Sequence, residues 1–209
     1  MSAQDLTPEK RPHVADIDFA EFYAAALPYC TSISEFVRKV DALGPERNKA
    51  KIVLHQAARM VWLGDRLDEV AHGRPALQVL FYLIAAEAIA KIVFGFAGEG
   101  KSRHYVWRFF ADICSDKHRA RLGQAFSSVV FLSWERAVDV LYRVRCNVAH
   151  VGMYYSFNLP LEGDSVPIMT HVGPDNCVSH ITLSELRRIT LEGAVLGCQK
   201  VLVAAGITL

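Results

Sequence analysis

This 209-residue chain lacks the sequence features of a disulfide-rich, an exported or a membrane-spanning protein. Its five cysteines are widely spread and none forms a CxxC pair, which disfavours a disulfide framework and favours a reducing cytoplasm. The opening stretch lacks the basic patch and apolar run of an export signal. The most apolar stretch, residues 76–97, contains Gln78, Glu87 and Lys91, which are costly in lipid, so we expect a buried helix and no membrane partner.

Net charge is also nearly absent, at +1, but the charges are unevenly placed. Residues 101–150 carry nine basic and four acidic groups, whereas the segments on either side are slightly acidic. This basic block predicts either a surface that faces phosphate groups or an ordinary solvated helix face, and charge alone does not separate the two.

The apolar residues recur mostly at helical spacing, so we predict a mainly α protein with one domain, residues 17–209, after a mobile leader, residues 1–16. The predicted helices span residues 17–27, a short segment ending at Gly44, residues 46–71, 76–94, 105–114, 116–126 and 134–151, and a last helix starting after a cap at Thr182 or Ser184. Residues 152–181 are rich in strand-forming types and broken by GPDN, which predicts a small β-hairpin insertion before the last helix.

One helix end contains the hexapeptide RCNVAH, residues 145–150. It resembles the signature of the HEPN superfamily, in which an arginine is followed by four to six residues and a histidine near a helix end, often with Asn or Asp between them. WERAVDVLY and FYLIAAEAIAKI resemble core helices of that family, and ITLSELRRITLEGAVLG resembles its closing helix. The resemblance covers about residues 46–202 and implies a HEPN-like helical bundle interrupted by the β insertion.

The resemblance implies a metal-independent endoribonuclease without a cofactor, with Arg145, Asn147 and His150 as its catalytic residues. An arginine keeps its charge and offers a fixed fork of donors for a scissile phosphate. A histidine titrates near neutrality and can move the proton of a 2′-hydroxyl or of the leaving oxygen. RNA is then the expected substrate, since DNA lacks the 2′-hydroxyl, and Asn147 would orient the phosphate or the imidazole.

Geometry complicates this site, because residues five apart on an α-helix lie about 140° apart around its axis. His150 would lie above Arg143, a supporting residue, while Arg145 borders the apolar stripe. Convergence of Arg145 and His150 requires either an unwound last turn before Gly152 or a site shared by two protomers. Members of the family commonly dimerise with their motifs face to face, so the resemblance implies a homodimer.

Glu87 is the one acidic group in the apolar helix, and a buried carboxylate normally needs a partner. Arg145 is one candidate, which would make Glu87 a supporting residue of the site. The alternative is that Glu87 faces water beside Lys91, its i+4 neighbour.

Two other patterns suggest different chemistry. The segment GFAGEGKS, residues 95–102, matches the P-loop pattern GxxxxGK[ST], which needs a strand before it and a helix after it; the preceding residues instead continue a helical pattern. His171, Cys177 and His180 form a weak zinc pattern, and His104, Cys114 and His118 form another. Each set is also compatible with ordinary packing or turn residues.

The sequence therefore favours a HEPN-like endoribonuclease of the stress, toxin or antiviral-defence kind, a setting that only the resemblance implies. Such a protein can have an antitoxin or another regulatory protein as a partner. The alternatives are a non-catalytic HEPN-like module that binds RNA, a nucleotide or a protein, and a P-loop nucleotide-binding protein using Gly95–Ser102.

Overall fold

The computed structural model describes residues 17–44, 48–96, 98–163, 166–172 and 175–209. The predicted leader, residues 1–16, lies outside these ranges, as do Glu46 at the predicted start of one helix and two residues of the GPDN turn. Eight α-helices and three short strands lie within the described residues. The prediction of a mainly α fold with a small β insertion before the last helix is therefore confirmed.

The core is built on three long helices: α3 (Asn48–Val70), α4 (Pro75–Phe94) and α8 (Leu183–Ala204). All three pack against one another. Short connections hold α3 and α4 as a hairpin, and Pro75 takes the first position of α4, where its missing N–H costs nothing. Thr182 caps α8 by accepting from the Glu185 N–H, while the Glu185 carboxylate accepts from the Thr182 N–H.

Helix α4 is apolar around most of its circumference and occupies the centre of this core. Ten of its residues are buried, and the continuous helix predicted for residues 76–94 is confirmed. By length and composition alone α4 would also pass as a membrane span, but half of its most apolar window is buried inside the fold. The core helix of a soluble protein passes the same test.

Smaller helices cover the core: α1 (Phe19–Ala26), α2 (Ile33–Asp41), α5 (Ser102–Arg108), α6 (Asp116–Leu122) and α7 (Trp134–Cys146). The helix predicted for residues 116–126 ends early, at Leu122, so that prediction was wrong at its C-terminal end. Phe126 and Ser127 instead form β1, because they pair with a strand more than fifty residues later.

The sheet has the order β1-β3-β2 and is antiparallel throughout. Strands β2 (Ile168–Val172) and β3 (Asp175–Ser179) are the predicted hairpin. The MYYSFNLP segment, residues 153–160, was expected to be β-rich but contains no strand. It packs as irregular chain with Phe157 and Leu159 buried in the core.

Two helices end in a wide, π-helical turn. Phe109–Ile113 follows α5 directly, and Asn147–Val151 follows α7 directly. The first turn lies against α8 at Gly193, where a β-carbon would come within 2.3 Å of the Phe109 ring. The second replaces the last α-helical turn of the helix predicted for residues 134–151, which therefore ends at Cys146. Such turns are rare and frequently occur at functional sites.

Candidate functional site

The Glu87 carboxylate joins three helices at one point. Glu87 lies in the middle of α4 and is only 6% exposed. Its Oε1 accepts from Lys91 Nζ at 2.6 Å, one turn later on the same helix, and from Ser102 Oγ at 2.7 Å, at the start of α5. Its Oε2 accepts from Arg145 Nη2 at 3.1 Å, near the end of α7. Both partners considered from the sequence, Arg145 and Lys91, therefore pair with Glu87.

The charges of this cluster favour an ionised Glu87. Burial raises the pKa of Glu87, but the hydrogen bonds from Lys91 and Ser102 and the charges of Lys91 and Arg145 outweigh burial, so its pKa lies below the ordinary value. Two cations around one carboxylate leave the cluster with a net positive charge. An anion can therefore still be attracted to it.

Arg145 is held in place on more than one side. Its side chain is 17% exposed, and the guanidinium carbon lies 5.6 Å from the centre of the Tyr142 ring. Its Nε is buried and has no hydrogen-bond partner in the described part of the chain. Most polar atoms buried to this degree are satisfied, so this unpaired N–H is an unusual feature of the cluster.

His150 differs from Arg145 in being exposed, and it lies in the π-helical turn Asn147–Val151. This turn closes its hydrogen bond from the Gly152 N–H to the carbonyl of Asn147, five residues back. Because each turn holds more residues than in an α-helix, residues five apart are less offset around the axis. The angular obstacle between Arg145 and His150 is thus reduced within one chain, although no hydrogen bond joins their side chains among the described residues.

The other two predicted residues lie at different places. Asn147 begins the π-helical turn and is partly exposed; its carbonyl also accepts from the Met153 N–H at 3.1 Å. Arg143 lies with Arg136 in a cavity of about 230 Å³ between α7 and β3. No residue of the Glu87 cluster lines this cavity. The structure therefore places Arg143 apart from the Glu87 cluster, which Arg145 joins through its contact with α4.

The P-loop-like segment connects two helices. Helix α4 runs into it up to Phe94, and α5 begins at Ser102, so the preceding element is a helix where a P-loop needs a strand. The Ser102 hydroxyl, which would bind magnesium in a P-loop, donates to Glu87 at 2.7 Å. Lys101 is exposed.

The basic block of residues 101–150 is largely neutralised by ion pairs. Five of its nine basic side chains contact carboxylates, joining Arg103 to Asp139, Arg108 to Asp112, Arg119 to Asp116, Arg121 to Glu185, and Arg145 to Glu87. Such pairing weakens the expectation of one continuous phosphate-facing surface. Attraction of a phosphate is therefore more local than the charge count suggested.

The two zinc patterns are dispersed in the fold. His171 Nδ1 lies 2.5 Å from the Asn176 amide oxygen, and His180 Nε2 lies 2.7 Å from Ser127 Oγ. His118 contacts Glu192 through its Nε2. Over the described ranges, no group of three or more His, Cys, Asp or Glu side chains is placed to hold a metal ion.

Sequence reasoning missed Ser102 and Tyr142 as neighbours of the site. Ser102 was considered only as part of the P-loop pattern. Tyr142 is three residues before Arg145, a spacing that places side chains on one helix face and that could have identified it. Burial and the hydrogen-bonded Cys146 thiol raise the pKa of Tyr142, so its hydroxyl stays protonated.

The comparisons with known proteins identify no relative of this chain. No protein-family model, curated protein or solved structure matches the chain.

Proposed function

We propose that this protein is a HEPN-like, metal-independent endoribonuclease that cuts RNA through Arg145 and His150. The observation that carries the proposal is that a positioned arginine and an exposed histidine lie near the same helix end. Glu87 fixes one side of the Arg145 guanidinium, while the cluster keeps a net positive charge. Pre-positioned donors of this kind stabilise the extra negative charge of a phosphoryl transition state.

Each residue has a defined role in this reaction. Arg145 binds the scissile phosphate. As the 2′-oxygen attacks phosphorus and the bond from phosphorus to the 5′-oxygen breaks, His150 either accepts the 2′-hydroxyl proton or gives a proton to the departing 5′-oxygen, and water exchanges the other proton. The products are a 2′,3′-cyclic phosphate and a free 5′-hydroxyl. Asn147, at the start of the turn that carries His150, orients the phosphate or the imidazole.

A homodimer is part of the proposal, as the resemblance implies. Exposed apolar side chains follow the motif directly: Val151 is 65% exposed and Tyr155 is 60% exposed. Isolated exposed apolar residues are common, but a group beside a candidate site is typical of an interface. Pairing of two such surfaces would bring the two motifs close together.

The test is RNA cleavage in the presence of EDTA, with product ends identified by mass. Wild type should leave 2′,3′-cyclic phosphate ends, and Arg145→Ala and His150→Ala should each reduce the rate by about 10²- to 10⁴-fold, the usual contribution of a catalytic acid or base. Lys101→Ala and His104→Ala are matched controls, since both remove an exposed side chain outside the Glu87 cluster. Both should retain nearly full activity.

Three outcomes would contradict parts of this proposal. Cleavage that survives loss of His150, or that requires magnesium, would refute the acid and base assignment. Loss of nucleotide binding or hydrolysis in Lys101→Ala would favour the P-loop alternative. RNA binding without cleavage by any variant would replace the enzyme with a binding module, in which Arg145 remains an anion contact and His150 is a helix cap.

A further inference from the structure

A cleft of about 650 Å³ lies between the α3–α4 turn, the irregular chain after residue 157 and the start of α8. This size is within the range of small-molecule sites. None of its lining residues belongs to the Glu87 cluster or to the RCNVAH segment. Its apolar walls come from Pro75, Leu159, Pro160, Leu161, Ile168 and Leu183.

Gln78 is a buried polar residue in the wall of this cleft. It lies on α4, lines the cleft, and is more than nine-tenths buried. Over the described ranges its side-chain amide makes no hydrogen bond, and neither amide atom is sealed from open space. An amide that faces the cleft and has no protein partner can hydrogen-bond to a ligand that enters the cleft.

The charges of the lining residues decide which ligands fit. Asp65, Asp68 and Glu162 supply three carboxylates, and Arg187 is the one arginine or lysine among the residues that line the cleft. Arg187 Nε already donates to Asp65 Oδ2 at 2.8 Å, and Tyr82 donates to Asp65 Oδ1 at 2.6 Å. Asp68 pairs with His72 Nδ1 at 2.9 Å and accepts from the Gly73 N–H at 3.0 Å, but its side chain is still 42% exposed and can face a ligand. The cleft therefore disfavours phosphates and other anions and favours a cation.

We propose that this cleft binds a small organic amine with an apolar body. The protonated amine lies near Asp68 and Glu162, the Gln78 carbonyl accepts a hydrogen bond from it, and the apolar body packs against the proline and leucine walls. A few polar groups that fix orientation within a mainly apolar cleft are the usual arrangement of a ligand site. The site is independent of the proposed ribonuclease activity.

The probe is tryptamine, titrated into the ¹⁵N-labelled full chain, with indole-3-acetate as the anionic molecule of nearly the same shape. The Gln78 side-chain NH₂ signal, assigned in a ¹³C,¹⁵N-labelled wild-type sample through its bonded connection to the Gln78 backbone, should shift saturably with tryptamine and not with indole-3-acetate. This measurement uses the wild-type protein and does not depend on any variant folding.

Variants then separate the two recognition elements. Gln78→Leu conserves size and helix preference and should weaken tryptamine binding about tenfold, because the hydrogen bond to the amide is lost. Asp68→Asn keeps an oxygen that can accept from the Gly73 N–H and should weaken binding about fivefold through lost charge. Glu35→Gln, which removes an exposed carboxylate on α2, is the control and should have no effect.

The proposal is wrong if tryptamine produces no saturable shift at Gln78, or if indole-3-acetate binds equally well. It is also wrong if Gln78→Leu binds tryptamine with wild-type affinity. RNA cleavage by Gln78→Leu should equal that of wild type, so a failure of either proposal leaves the other standing.

Discussion

Gly193 gives the sharpest test of how the core is packed. It lies on α8, opposite the π-helical turn that begins at Phe109. A β-carbon there would lie 2.3 and 2.8 Å from two ring carbons of Phe109 and 3.2 Å from Cys114 Sγ. Phe109 is fully buried and packs edge-on against Phe110 at 5.0 Å, so a shift of its ring would disturb the core around it.

The size of the effect of Gly193→Ala follows from two opposing contributions. Replacing glycine with alanine inside a helix stabilises the folded state by about 0.5–1 kcal/mol. Overpacking a well-filled core costs about 1–3 kcal/mol. The contact here is more than about 1 Å shorter than the optimal carbon–carbon separation of about 3.5–4.0 Å, which places it at the upper end of that range. We expect a net loss of about 2 kcal/mol in the free energy of unfolding.

Urea unfolding monitored by circular dichroism measures this change, with Gly123→Ala as the matched control. A β-carbon at Gly123 would meet nothing closer than 3.4 Å, and its φ of −63° suits alanine. Gly123→Ala should therefore be neutral or slightly stabilising. Adding Phe109→Leu to Gly193→Ala should relieve the contact with the new β-carbon and recover part of the lost stability. The two substitutions together should therefore cost less than the sum of their separate costs, which is a favourable coupling energy. A midpoint for Gly193→Ala equal to that of wild type would refute the packing argument.

Two further predictions concern the candidate site and its surface. Because the pKa of Glu87 is lowered in the folded protein, its stabilising contribution is present above the ordinary pKa of 4.5 and is lost as pH falls through the lower, folded-state value. Glu87→Gln should thus have a lower melting temperature than wild type at pH 7, and the difference in melting temperature should shrink in acid. A difference that stays constant with pH would contradict the role of the ion pairs of Glu87 in stability. Val151→Asp should shift a dimer toward monomer in sedimentation at tens of micromolar, whereas Val70→Asp, at an even more exposed valine on α3, should not. A wild type that sediments as a monomer would remove the proposed interface.

The long helices were predictable because their signals are local. The periodic apolar residues of α3 and α4, the proline at position 75 and the cap before α8 are all contained in short stretches of sequence. Strand β1 was not predictable in this way. Its two residues are a strand only because Ser179 and Val178 pair with them, and that pairing is not encoded near Phe126.

The candidate site was predictable in its parts and less so in its arrangement. The sequence supplied Glu87 and both of its charged partners, but treated Arg145 and Lys91 as alternatives, whereas one carboxylate with two oxygens serves both. An unwound last turn before Gly152 was one of two ways in which Arg145 and His150 could converge, but nothing in RCNVAH specifies that this turn is π-helical. The position of Ser102 depends on how α5 returns toward α4, which is a tertiary property.

Helix α8 closes the core on the side of the α3–α4 hairpin, and this order along the chain has a consequence during synthesis. The hairpin is complete once Phe94 has been made, yet the helix that covers it ends at Ala204, 110 residues later. A ribosome that adds about 5–20 residues per second needs roughly 5–20 s to make that interval. During those seconds the apolar face of the hairpin meets solvent or a chaperone in place of α8, so the nascent chain is more prone to aggregation than the finished protein.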